Sequence, residues 1–310
     1  MMSTMASRFQ GSIVALVTPF KKGEVDWQAF DKLIEWHIEQ GSHGLVPCGT
    51  TGEASTLDDK EHIEVIKRCV DIAKGHLPVI AGTGSNNTSH AIDLTKAAQD
   101  AGADAALCVT PYYNKPSPEG LYLHFKSIHD STSIPLILYN IPGRSVVDMS
   151  NDLVARLSAL SRVNGIKDAS NDLSRPVWMR KNCHENFVLL SGEDPTASAY
   201  LAQGGHGCIS VTANIIPRLC AQMHEAWQNR DMDLFSKIRD RIFPLHAALF
   251  YENSPAPTKY ALSRMGMCED ETRLPVVKAS PDCRKVVDKA IEKVLEKFKI
   301  PDDVKKQASG

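Results

Sequence analysis

The chain has 310 residues, 43% of them apolar, and a formal net charge of −2. That is room for one large domain or two ordinary ones with a sizeable core, and the near-neutral balance argues against nucleic acid or an anionic membrane as a partner. No apolar run approaches the ~18 residues of a bilayer span, and Met1–Gln10 lacks the apolar stretch of a secretory signal, so a cytoplasmic protein is expected.

Short, nearly all-apolar runs recur along the chain: Ser12–Val17, Gly44–Cys48, Pro78–Gly82, Ala103–Val109, Ile134–Tyr139, Val163–Lys167, Asn186–Ser191 and Gly207–Val211. Runs of that kind suit strands buried on both faces of a parallel sheet. Segments with helical spacing lie between them. Asp26–Gln40 puts Phe30, Leu33, Ile34 and Ile38 on one side, and Gly41 can end it. Asp58–Lys74 opens with Asp58 and, three residues on, Glu61, the pattern of a capping box. Thr88–Ala101 stops at Gly102, and Pro118 with Glu119 marks the start of Pro118–His129. Ser150–Leu160, Leu173–Asn182, Pro195–Gln203 and Pro217–Gln228 continue the alternation. Eight strand–helix units in ~230 residues have the count and size of a (β/α)₈ TIM barrel. An open doubly wound sheet is the alternative, weakened because Val17-Thr18-Pro19-Phe20 stands where a glycine-rich phosphate loop belongs. Beyond residue 230 no strand pattern remains, and Asp233–Phe250, Pro255–Met265 and Pro281–Phe298 have helical spacing. The predicted division is a barrel over 8–230, a C-terminal helical appendage over 231–300 and a disordered polar tail over 301–310.

The eight cysteines form no Cys-x-x-Cys pair and several sit inside apolar runs, so free buried thiols are expected rather than a disulfide framework. The eleven histidines show no His-Glu-x-x-His pattern, and no metal site is predicted.

In a barrel, function belongs at the C-terminal ends of the strands. Those ends carry Thr18, Gly49-Thr50-Thr51-Gly52-Glu53, Gly82-Thr83-Gly84, Thr110-Pro111-Tyr112-Tyr113-Asn114, Tyr139-Asn140-Ile141-Pro142-Gly143-Arg144, Lys167-Asp168, Ser191-Gly192-Glu193-Asp194 and Ser210-Val211-Thr212. Lys167 closes an apolar strand. It either snorkels, with its ammonium in water, or serves as a nucleophilic amine, since a lysine in a desolvated pocket can lose several pK units. Thr50 and Thr51 make either a plain turn or, with the glycine amides, a small anion site. Tyr113 and Tyr139 either cap the core or carry protons beside the amine. Arg144 pairs either with a surface carboxylate or with a substrate carboxylate. Glu53, Asp168 and Asp194 are taken as helix-start residues. His206 precedes the last strand and falls on the opposite, structural face. The loop after the seventh strand carries Glu193 and Asp194, which disfavours a phosphorylated substrate.

Gly49-Thr50-Thr51-Gly52-Glu53, Tyr112-Tyr113-Asn114, Tyr139-Asn140-Ile141-Pro142-Gly143-Arg144 and Gly165-Ile166-Lys167-Asp168, in that order, resemble the dihydrodipicolinate synthases of the pyruvate-dependent Schiff-base (class I) aldolase family. The resemblance runs from about Gly11 to beyond Arg264. It implies a lyase that joins pyruvate to L-aspartate 4-semialdehyde in lysine and diaminopimelate biosynthesis, with no cofactor beyond the imine on Lys167. Tyr139 would shuttle protons, and Thr51 and Tyr113 would complete a hydroxyl relay, Tyr113 reaching into a neighbouring subunit. Thr50 and Thr51, with Gly192 and the backbone of Ile209 nearby, would hold the pyruvate carboxylate, and Arg144 the second substrate. A homotetramer, a dimer of tight dimers, is implied. A sibling activity, N-acetylneuraminate lyase or 2-keto-3-deoxy sugar acid aldolase, is the alternative. Arg144 and the Gly-Thr-Thr-Gly-Glu form of the loop speak for the synthase. A barrel that only binds a ligand would ordinarily have lost one of these groups. The resemblance also implies an allosteric lysine site from Ser55, His62, Asn86 and Tyr112. His90 stands there in place of a glutamate, which predicts weak inhibition, with Glu53 as a carboxylate able to compensate.

Overall fold

The computed structural model describes residues 8–295. Eight parallel strands form one sheet: β1 (Gly11–Ala15), β2 (Gly44–Val46), β3 (Ile80–Gly82), β4 (Ala105–Val109), β5 (Leu136–Asn140), β6 (Val163–Asp168), β7 (Val188–Ser191) and β8 (Gly207–Ser210). Each pairs with its sequence neighbour except at one seam. There β1 pairs with β8, with Gly11 opposite Gly207 and Val14 opposite Ser210. A parallel bridge between Leu45 and Val79 joins β2 to β3 and closes the ring. The eight predicted strands are the eight of this sheet; a short antiparallel hairpin, Phe20–Lys21 against Glu24–Val25, follows β1 and was not predicted.

Side chains alternate across each strand, so a closed sheet sorts its residues into two sets. Ile13, Ala15, Val46, Ile80, Leu107, Ile137, Tyr139, Val188, Leu190 and Ile209 form one buried cluster. Their strand neighbours, such as Val14, Leu45, Ala106, Leu138, Ile166 and Leu189, pack into the two clusters made with the helices. The first set fills the barrel and the second seats the helical ring, which is why both parities are apolar.

Local chemistry sets the helix starts. Helix α1 (Trp27–Glu39) is capped by Asp26, which accepts from Ala29 N. Helix α2 (Asp59–Ala73) has the predicted capping box: Asp58 accepts from Glu61 N at 2.8 Å, and Glu61 Oε2 accepts from Asp58 N at 3.2 Å. Helix α3 (Thr88–Asp100) is capped by Asn87, and α4 (Pro118–Ser131) by Ser117 with Pro118 in its first turn. Then come α5 (Asn151–Ser158), α6 (Arg175–Asn182), α7 (Ala197–Ala202) and α8 (Pro217–Gln228). A 3₁₀ turn, Asp194–Thr196, takes the place of the first turn expected for α7.

Helices α9 (Met232–Leu249), α10 (Ala256–Arg264) and α11 (Pro281–Leu295) follow. The expected continuation of α11 to Phe298 and the polar tail lie outside the described residues. These three helices build no core of their own. Phe235, Ile242, Leu245, Leu262, Val287 and Val294 belong to the same apolar cluster as Val14, Phe30 and Cys220. All eight cysteines are free. Among the described residues no helix is long and apolar enough to cross a membrane.

Candidate active site

Lys167 lies in β6 in register with Tyr139 of β5 and Leu190 of β7, so all three face the barrel interior. Its side chain is 7% exposed, and its Nζ stands 4.1 Å from the centroid of the Tyr139 ring. An ammonium over a phenol face is favourable, and the contact aims the amine at the one phenol buried among these strand ends. Space beside the lysine is kept by Gly192. A Cβ there would lie 3.1 Å from Lys167 Cε and 2.7 Å from Ala169 Cβ. Ile209 completes the buried floor, 1% exposed in the same cluster as Tyr139.

The loop after β2 brings Thr51 into the interior, 4% exposed, and leaves Thr50 at the surface. It is a tight turn: Gly52 N and Ala54 N donate to Gly49 O, Glu53 N donates to Thr50 O, and Thr18 Oγ1 donates to Gly52 O at 2.8 Å. The Gly52 and Glu53 amides are thus spent internally. The donors left at the tip belong to the two threonines. Non-glycine residues in the left-handed region bracket the loop, Cys48 at φ 54° and Glu53 at φ 53°. Gly82 makes room for it, since a Cβ there would sit 2.0 Å from Cys48 O.

Arg144 is exposed on the short helical turn Pro142–Ser145, which Thr110 Oγ1 anchors through Ser145 Oγ at 3.1 Å. Tyr113 is not brought to the lysine within this chain. It is 90% exposed with φ 73°, on a loop braced by Asn114 Nδ2 donating to Asn86 O. Asn86 in turn donates to Tyr112 O. His62 is buried, its Nε2 2.8 Å from Gly82 O, and burial lowers its pKa. His90 Nε2 lies 2.9 Å from Asp59 Oδ1, a carboxylate the sequence reasoning did not reckon with, and Ser55 is exposed nearby in sequence.

Of the three acids taken as helix starts, Glu53 precedes the 3₁₀ turn Ala54–Thr56 and Asp194 opens the 3₁₀ turn Asp194–Thr196, but their side chains do not cap those turns, and Asp168 stands at no helix start. Asp168 is buried, accepting from Ser170 N and from Arg175 Nε at 2.6 Å, so it ties the end of β6 to α6. Asp194 accepts from the Ser210 hydroxyl, from Val211 N at 2.8 Å and from Thr212 N at 3.1 Å, so it shapes the loop after β8. Glu53 pairs with Lys259 Nζ at 2.5 Å. Apart from the Ser170 amide next to Asp168, these partners lie 7 to 206 residues further along the chain. His206 lies at the opposite end as expected, its Nδ1 accepting from Leu189 N. A cavity of about 360 Å³ beside it, lined by Gln10, His224, Trp227 and Arg230, sits away from this rim.

Glu193 entered the sequence reading only as an argument against a phosphorylated substrate. It follows Gly192 and is half-buried. Burial raises its pKa, Asp194 raises it further, and Lys167 and Arg144 lower it, so it shares a field with both cations. Its place next to Gly192 was the available signal.

A barrel whose rim gathers one buried amine, a phenol under it and a hydroxyl-rich turn is built as a lyase of the aldolase type. The chain belongs to the dihydrodipicolinate synthetase family, whose model matches residues 8–294. The 4-hydroxy-tetrahydrodipicolinate synthase of Rhodospirillum centenum is 55% identical over 285 residues, 92% of this chain and 98% of that protein. The pyruvate-complexed dihydrodipicolinate synthase of Acinetobacter baumannii is 46% identical with a TM-score of 0.89, over 92% of this chain and 98% of its own. A structure of the Cyanidioschyzon merolae enzyme with lysine bound has 34% identity and a TM-score of 0.90, over 93% and 98%. The activity is 4-hydroxy-tetrahydrodipicolinate synthesis, a step of lysine and diaminopimelate biosynthesis.

Proposed function

We propose that Lys167 is the amine that forms an imine with pyruvate, and that no other cofactor takes part. The observation that carries this is the buried Nζ against the Tyr139 ring, with Gly192 holding space open at Cε. Nζ attacks the ketone carbon and water leaves; Tyr139 is placed to pass protons in that step and in the loss of a methyl proton that makes the enamine. Thr50 and Thr51 hold the pyruvate carboxylate with the backbone at Ile209. The enamine carbon then attacks the aldehyde of L-aspartate 4-semialdehyde, whose carboxylate Arg144 grips from the rim. That substrate's own amine displaces Lys167 from the former ketone carbon and closes the ring. One water is the net by-product of the two substrates.

Tyr113 acts across a subunit boundary in a homotetramer, completing the relay with Thr51. Its near-full exposure in a single chain supports that assignment. The free thiols support a reducing compartment, the cytoplasm. A lysine effector site at Ser55, His62, Asn86, His90 and Tyr112 has its carboxylate in Asp59 rather than Glu53, because Glu53 is occupied by Lys259.

The test is borohydride reduction in the presence of pyruvate followed by peptide mapping. A stable added mass on the Lys167 peptide is expected, with none in Lys167→Ala. Lys167→Arg is expected to fail as well, because a guanidinium stays protonated. Trapping at another lysine sinks the assignment.

A further inference from the structure

Lys259 is fully buried in α10, a helix outside the barrel. Its Nζ pairs with Glu53 Oε1 at 2.5 Å, donates to Glu271 O at 2.8 Å and stands 3.9 Å from the centroid of the Phe20 ring. The other oxygen of Glu53 accepts from Arg273 N at 3.0 Å. Arg273 lies over the same Phe20 ring at 4.3 Å and donates to both oxygens of Glu61, to Thr56 O and to Gly23 O. The stretch between α10 and α11 is therefore fastened to the middle and the far end of the loop after β2, at Glu53 and Thr56, and to Glu61 in the first turn of α2. Glu53 is the last residue of Gly49-Thr50-Thr51-Gly52-Glu53. It holds a left-handed backbone that a non-glycine residue keeps only when its surroundings impose it. Nothing in hydroxyl chemistry needs a charged pair at this depth, and a charge buried without its partner is strongly disfavoured.

We propose that Lys259 and Glu53 are a positioning pair that fixes Thr50 and Thr51 for the substrate carboxylate, so that the C-terminal helices set the affinity for pyruvate. This rests on the reading of the two threonines as the pyruvate carboxylate site. Neither Lys259 nor Glu53 touches the substrate; both act through the backbone of residues 50–53. Burial lowers the pKa of Lys259 and Glu53 raises it back. Cys268, Glu271 and Arg273 face the same ammonium–carboxylate pair, and Glu61 stands behind Arg273.

The experiment compares Lys259→Met, Glu53→Gln and the double variant in the full-length enzyme. It measures the KM for pyruvate and kcat from pH 6.5 to 9, well below each variant's Tm. Misplacement of binding groups by about 1 Å can cost on the order of 10²-fold, so KM for pyruvate is expected to rise roughly ten- to a hundredfold in each single variant. The two pH trends are expected to oppose each other. Lys259→Met strands a carboxylate that is neutral only when protonated, so its KM improves as pH falls. Glu53→Gln strands an ammonium, so its KM improves as pH rises. The double variant is expected to lose both trends and recover most of the affinity. A pair that merely holds the fold lowers Tm and leaves KM and its pH dependence as in the parent; that result overturns the proposal. If Lys259→Met does not fold, Glu53→Gln, which keeps an acceptor for Arg273 N, decides alone by its KM and its pH trend. Thr51→Val is run alongside. An unchanged KM in Thr51→Val removes the underlying reading, whereas a raised KM there with unaffected Lys259 and Glu53 variants removes only the positioning role.

Discussion

Gly192→Ala isolates the space beside the lysine. The backbone at this position does not lie in the left-handed region, so the substitution tests volume alone. The new Cβ would lie 2.7 Å from Ala169 Cβ and 3.1 Å from Lys167 Cε. The first distance is closer than carbon atoms tolerate, so β6 or the loop after β7 must give, and the lysine stem moves with it. Overpacking of this kind costs about 1–3 kcal/mol of stability. A chain of this size then loses on the order of 1.5 °C in Tm per kcal/mol. The catalytic loss is larger in proportion, because a displacement near 1 Å at the proposed nucleophile is worth about 10²-fold, or ~2.7 kcal/mol. The assay is kcat/KM for pyruvate together with the rate of borohydride-trapped adduct. Gly143→Ala is the comparison, since a Cβ there meets nothing within 4 Å. Gly192→Ala with kcat/KM within threefold of the parent would refute the idea that substrate uses this space.

If Tyr113 serves a neighbouring site, mixing inactive Tyr113→Phe with inactive Lys167→Ala subunits restores partial activity in the hybrids; hybrids shown to form but remaining inactive count against a shared site. Burial holds the pKa of His37 and His224 at about 3 and that of His124 at about 4, against 6.5 for the free group. Because the folded values are depressed, these histidines contribute stability that is present above pH 6.5 and lost as pH falls toward 4 and 3. Each contributes about 1.4 kcal/mol per unit within that window. Tm is expected to drop between pH 6.5 and 5, before ordinary carboxylates titrate, and a flat Tm there contradicts the burial argument. Lysine is expected to inhibit weakly, because the Asp59 carboxylate proposed for its cleft is already engaged by His90. Strong inhibition at sub-millimolar lysine, or no gain in His90→Glu, goes against that account.

The barrel was legible because its signals are local. Eight all-apolar runs, the Asp58–Glu61 box and Pro118 each act within a few residues, and the strands fell where those signals placed them. Lys167 was legible for the opposite reason, as a charge where the strand pattern allows none. What the acids after strands bind was not legible, because a carboxylate at a strand end looks the same whether it caps the next helix or binds something distant. Asp194 finds Ser210 and Glu53 finds Lys259, and only the closed fold brings them near. Lys259 itself gave almost no sign. A lysine in a helix is ordinarily a solvated one, and its burial depends on a loop more than 200 residues away.

The seam between β1 and β8 has a consequence for synthesis. The first strand to leave the ribosome finds one neighbour in β2, but its other edge waits for residues 207–210. At translation speeds of about 5–20 residues per second, that edge stands open for roughly 10 to 40 seconds. An unpaired apolar edge invites pairing with other chains. Helices α9–α11 share the cluster of Val14 and Cys220 and so reach the seam later still. The nascent chain is expected to need a chaperone most while its length lies between about 50 and 210 residues. The event that ends this exposure also seats Ile209 in the buried cluster that holds Tyr139, so the floor beside Lys167 is finished only as the chain ceases to be a hazard to its neighbours.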